Sequence, residues 1–232
     1  MTAMKKQKSA RLSLTKEQLK RLTVDELVKI KFTDDEKALW SEIRRERDQE
    51  REQRSARLAI EERPILSDLH EIGWDIESVW NLVNIPNNYA EAVPILLKHL
   101  LLPYSDRTRA GIARALAVRE ASQAWRILVS EYRNAPMGTG IVAPGDTEEL
   151  RLGVKDGLAC ALSVAVTDET LPELIALAKD PSHGESRILL LSALRKSKNP
   201  IAKKAIEELA FDPELAKEIA AWSSKKAKGR AH

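Results

Sequence analysis

The feature that most constrains this chain is a spacing. Gly111-Ile-Ala-Arg-Ala-Leu116 can be written above Gly157-Leu-Ala-Cys-Ala-Leu162 and above Leu189-Leu-Leu-Ser-Ala-Leu194, at offsets of 46 and 32 residues. The segments before them align as well: Pro94-Ile-Leu, Trp125-Arg-Ile-Leu and Pro172-Glu-Leu-Ile. Pro94 to Pro172 and Leu116 to Leu194 both span 78 residues, so two sets of segments agree on one period. A half-unit continues the series, since Leu177-Ala-Lys-Asp-Pro181 recurs 32 residues later as Leu209-Ala-Phe-Asp-Pro213. The spacing implies helix pairs of about 31–32 residues, with about 15 residues inserted in the second unit, and such fixed-period pairs predict an α-solenoid. Each pair buries only part of its apolar face and needs neighbours for the rest. The small pairs Ala113/Ala115 and Ala159/Ala161 let the helices approach closely.

Composition agrees with an all-α chain. Its apolar residues are mostly Leu and Ala, and nine Gly, two Phe and three Tyr supply few turn formers and β-formers for a sandwich or barrel. One Cys excludes a disulfide scaffold and a zinc site of several thiolates. That Cys160 lies between Ala159 and Ala161, a packing position and not a nucleophile's. No run of about 18 apolar residues occurs, and no apolar stretch backs the basic start of the chain, so a cytoplasmic protein with no membrane partner is expected.

The net charge of +3 conceals a split: residues 1–63 carry +4, residues 64–221 carry −5 and residues 222–232 carry +4. This suggests four regions. Residues 1–14 are polar, basic and aperiodic and are expected to be disordered. Residues 15–63 form a charged helical extension. It opens with three capping boxes, Thr15/Gln18, Thr23/Glu26 and Thr33/Glu36. The third starts a helix expected to end near Glu62, because Pro64 follows. From Arg44 to Arg57 this helix is polar on every side and has no a/d apolar seam, so it reads as an arm that wraps a partner or as a solvated spacer. Residues 64–221 hold the repeats, and residues 222–232 form a basic tail.

The repeats resemble HEAT repeats of the short bacterial kind, similar to those of the phycobilisome-lyase type. Val93-Pro94-Ile95-Leu96 and Leu171-Pro172-Glu173-Leu174 match the start of the first helix, and Asp180-Pro181 matches the turn. Arg109, Lys155 and Arg187 match the cation that opens the second helix. The resemblance covers roughly residues 88–221. It departs at Pro103-Tyr-Ser-Asp106, which stands in place of Asp-Pro, and at the inserted loop. It implies a HEAT-like α-solenoid of stacked antiparallel helix pairs whose second helices line a concave face.

Several residues could serve a partner. The ladder Arg109, Lys155 and Arg187, widened by Arg107, Arg114 and Arg151, could grip an acidic protein or phosphates. The alternative is that these cations bridge to acids or carbonyls of adjacent turns. Trp74 is a candidate interface anchor, whereas Trp80 and Trp222 sit at core or cap spacings. Residues 134–146 hold five of the chain's nineteen Gly and Pro, and with Met137 form either an ordered contact loop or a floppy insertion.

The four His show no metal spacing, and no set of acid, base and oxyanion donor assembles from the sequence. No enzyme activity, catalytic residue, metal or cofactor is expected. The expected function is a non-catalytic protein–protein interaction module, such as a scaffold, an adaptor or an immunity-type inhibitor. The alternative is a nucleic-acid-binding protein similar to HEAT-like alkylpurine DNA glycosylases, which the acidic repeat body disfavours.

Overall fold

In the computed structural model the structure describes residues 13–85 and 89–228. The fold is mostly helical. The chain divides into two compact units, Met1–Ser55 and Ala56–His232. The expected disordered start falls almost wholly outside the described residues, as does the last part of the basic tail.

The first unit holds α1 (Lys16–Arg21), α2 (Val24–Lys29) and the start of α3 (Asp34–Glu71). All three capping boxes form. Thr15, Thr23 and Thr33 accept the N–H of Gln18, Glu26 and Glu36 at 3.2–3.3 Å, and those three side chains accept the Thr N–H in return at 2.8–2.9 Å. Glu36 also accepts the N–H of Leu14 at 2.8 Å, which draws the entering chain onto the start of α3. Leu19 and Ile43 are fully buried between α1 and α3, and Phe32 stacks on Trp40. The polar stretch is not all solvated. Lys16 reaches Glu42 and Glu46 at 2.9 and 2.6 Å, and Arg47 donates to the carbonyl of Lys20 at 3.2 Å. The first half of α3 is therefore a platform for α1.

The expected helix end near Glu62 is corrected, since α3 runs through Pro64 to Glu71. A proline inside a helix removes one N–H and leaves a carbonyl four residues earlier unpaired. Here that residue is Ile60, which is exposed, so water can serve its carbonyl. Beyond Pro64, Ile65 and Leu69 belong to the core of the second unit.

That unit continues with a 3-10 turn (Val79–Asn84), then α4 (Val93–Leu100), α5 (Asp106–Ala115) and α6 (Trp125–Asn134). After a short ribbon come α7 (Val154–Ala165), α8 (Leu171–Lys179), α9 (Arg187–Lys196), α10 (Pro200–Leu209) and α11 (Ala216–Lys228). Helix α5 packs on α7 and α7 on α9, while α4, α6 and α8 pack on α5, α7 and α9 in turn. The aligned small residues bring the helices together. A Cβ on Gly157 would lie 2.9 Å from the carbonyl oxygen of Ala110 and 2.9 Å from the Ala113 Cβ. No helix among the described residues is long and apolar enough to cross a membrane.

The insertion is ordered. It forms the antiparallel ribbon β1 (Thr139–Gly140) and β2 (Leu150–Arg151), the one pair of strands among the described residues. Gly138 (φ 88°) and Gly145 (φ 72°) occupy the left-handed region that glycine tolerates. The connection between the strands is pinned where Val142 accepts the N–H of Arg107 at 2.8 Å, Pro144 accepts from the Arg57 guanidinium, and Ala143 is fully buried.

Candidate functional site

The three ladder cations share one structural role. Each reaches the carbonyls at the C-terminal end of the helix before it. Arg109 donates to Leu100 (3.3 Å), Lys155 to Tyr132 and Ala135 (3.0 and 3.2 Å), and Arg187 to Ala178 (3.3 Å). Those carbonyls have no partner inside their own helices and lie at the negative end of the helix dipole, so a cation satisfies both needs. Arg109 then pairs with Glu131 at 2.7 Å, and Arg187 with Asp212 and Glu214 at 2.7 and 2.5 Å. Burial alone would lower the Arg187 pKa, but its bonds to Asp212 and Glu214 outweigh that and raise it. Burial lowers the pKa of Lys155, which has lost solvent without gaining a bonded carboxylate.

These contacts are those of the alternative in which the cations bridge to acids and carbonyls of adjacent turns. Lys155 is 4% and Arg187 1% exposed, so neither presents its charge to a partner. The flanking candidates are engaged too. Arg107 lies 3.8 Å over the ring of Trp80, and Arg114 points at the Cys160 sulfur from 3.7 Å. Trp74 donates to Glu91 at 3.1 Å and meets Tyr89 edge-on. These contacts hold segments of the unit together; the two remaining candidates, Arg151 and Met137, are the well-exposed ones.

The ribbon brings those two together, over a cleft of about 450 Å³. One wall is Met137, Thr139 and Leu152 from the ribbon, and the other is Asp156 at the start of α7 with Gly184 and Glu185 before α9. Glu214 stands at the rim. Arg151 spans the cleft, 3.4 Å from Asp156 and 3.2 Å from Glu185. Met137 is 49% exposed, and Ile141 and Leu150 are exposed on the same ribbon, so the insertion carries an apolar surface that the repeats lack at this position.

Beneath the lining residues Lys155 and Ser186 lies a buried hydrogen-bonded group around Tyr132. Ser186 donates to the carbonyl of His183 at 2.8 Å, so at its 2.8 Å contact with Tyr132 the phenol is the donor. Burial pushes the Tyr132 pKa up to about 12, keeping that proton in place. Lys155 sits 5.0 Å over the Tyr132 ring and His183 lies 4.7 Å from it. Burial, then the nearby Lys155 charge, lower the His183 pKa and favour the neutral ring. Among the described residues, no three of His, Cys, Asp and Glu gather to hold a metal ion.

Two groups were not legible as sites in the sequence. His99 is buried between Asp68 (2.9 Å) and the Tyr104 hydroxyl (2.8 Å), and Lys98 pairs with the same carboxylate at 2.6 Å. The hydrogen bonds from Lys98 and His99 hold Asp68 below the usual carboxylate range. Glu61 accepts from Ser105 N–H, Ser105 Oγ and Thr108 Oγ1 at 2.6–2.7 Å, and so caps α5. Neighbouring Glu62 accepts the Val79 N–H at 3.0 Å, and its burial raises its pKa. A helix read as ending before Pro64 conceals these contacts, because Glu61 and Glu62 then belong to the extension and not to the core. Comparison with protein-family models, with curated proteins and with solved structures finds no match to this chain.

Proposed function

We propose that the chain is a non-catalytic protein-interaction module, a HEAT-like α-solenoid that meets its partner through the inserted ribbon and the cleft beneath it. The stacking is supported by a recurring bond. Arg109 to Leu100 and Arg187 to Ala178 are the same cation-to-carbonyl contact at the same separation of nine residues, and Lys155 repeats it across the insertion. The observation that carries the partner face is the ribbon itself. It is pinned through its connecting loop, departs from the repeat, and exposes Ile141, Leu150 and, beside the cleft, Met137. Exposed apolar residues on an ordered ribbon favour a protein partner, because their burial offsets the cost of association. The ladder supports nucleic-acid binding less, because its buried members are committed to carbonyls. A scaffold, an adaptor and an immunity-type inhibitor all fit such a face.

The test is affinity capture with the full chain as bait, beside the variant Met137→Asp/Ile141→Asp/Leu150→Asp. The expected outcome is one stoichiometric protein retained by the parent and lost by the variant, with unchanged helical circular dichroism. Equal retention by both baits would move the partner face away from the ribbon. Tight binding of duplex DNA at physiological salt, abolished by charge reversal at Arg109, would replace the protein partner with nucleic acid.

A further inference from the structure

The cleft under the ribbon already holds an arginine. Arg151 leaves β2 and sets its guanidinium between the carboxylates of Glu185 and Asp156, beside the apolar Met137 and Leu152. Arg151 is 64% and Glu185 71% exposed, so this is a weak latch open to water. The other cation of the lining, Lys155, is buried and bonded to two carbonyls. What remains is one guanidinium, Arg151, between the carboxylates of Asp156 and Glu185, since Glu214 of the same lining is taken by Arg187.

Resting on the partner face proposed above, we infer that the cleft takes an arginine-bearing apolar segment of another protein, and that Arg151 is the internal occupant which that segment displaces. Carboxylates accept a guanidinium with matched, planar geometry, and a thioether wall adapts to the stem beside it. Met137 and Leu152 supply the apolar lining for the residues that flank the arginine. An acidic segment would meet the carboxylates of Asp156 and Glu185 and be repelled. The ribbon thus acts as its own competitor, and affinity depends on how often Arg151 vacates the cleft.

The test is fluorescence anisotropy of the full chain with a labelled hexapeptide of alternating leucine and arginine, at low salt. The control peptide carries glutamate in place of each arginine. The arginine peptide binds saturably and the control does not. Arg151→Gln tightens binding about threefold or more, because the competent state is no longer shared with an internal occupant. Asp156→Asn/Glu185→Gln weakens it about tenfold or more, as expected for loss of two charge-assisted partners. Equal binding of both peptides, indifference to the double variant, or weaker binding by Arg151→Gln would overturn the inference. So would sedimentation showing a dimer that Glu185→Lys abolishes, since the occupant would then be a second copy. If the peptide result fails while ribbon-dependent capture of a partner stands, only the arginine chemistry is wrong. If both fail, the ribbon is not the partner face.

Discussion

Replacing Arg187 with alanine tests whether the ladder is structural. Arg187 is almost fully buried and donates to the carbonyls of Gly184 and Ala178 and to the carboxylates of Asp212 and Glu214. The substitution strands the Ala178 carbonyl, opens a cavity, and leaves Asp212 without the bond that keeps its carboxyl below its usual range. Removing one partner of a buried ion pair costs about 3–5 kcal/mol. Asp212 and Glu214 keep some access to water, so about 3 kcal/mol, the low end, is expected. In a unit of this size that lowers Tm by about 6–12 °C. The matched control is Arg151→Ala, whose exposed ion pairs are worth about 0–1 kcal/mol, so stability should barely move. Urea unfolding followed by circular dichroism measures both, with the slope checked for two-state behaviour. A loss below about 1 kcal/mol for Arg187→Ala, or equal losses for the two variants, would refute the structural assignment.

Gly157→Val should cost several kcal/mol, because its Cβ would lie 2.9 Å from the carbonyl oxygen of Ala110, a backbone atom that cannot turn aside; Tm measures it. Tyr104→Phe should cost about 1 kcal/mol by leaving the buried Nδ1 of His99 without its hydrogen-bond partner, again read by urea unfolding. Acid should weaken the fold through Asp68 and Asp212. Both have folded-state pKa values below the unfolded ones, so the unfolded chain binds protons more readily as pH falls. Their contribution is complete above about pH 4 and is lost as pH falls through the folded values. Asp212→Asn should flatten that fall, and unchanged acid sensitivity in the variant would contradict the assignment.

The capping boxes and the repeat register were legible because each is a local rule. A Thr with Glu or Gln three residues on needs no tertiary partner, and aligned Ala and Gly mark where helices cross. The cation register was legible too, and so were its two possible uses, but not which of them each cation takes. Whether Lys155 faces solvent or a carbonyl depends on where α6 ends, and the insertion that follows α6 moves that end relative to the period. Pro64 misled for the opposite reason. A local rule ended the helix, while packing of Ile65 and Leu69 into the core and exposure of Ile60 let it continue. The candidate site was half-visible. Met137 and the Gly/Pro-rich loop stood out by composition, whereas Asp156, Glu185 and Glu214 become neighbours of Arg151 only through the stacking of α7 on α9. The clamp of His99 between Asp68 and Tyr104 joins α3 to α4 across about thirty residues, which no spacing rule anticipates.

The central claim is that a partner docks on the ribbon and not on the ladder. It is tested most directly by a photo-crosslinking amino acid placed at Met137 and, in a separate protein, at Arg114. The account predicts a covalent adduct with one partner from position 137 and none from position 114. An adduct from position 114 alone would contradict it and return the binding surface to the face that the cation register first suggested.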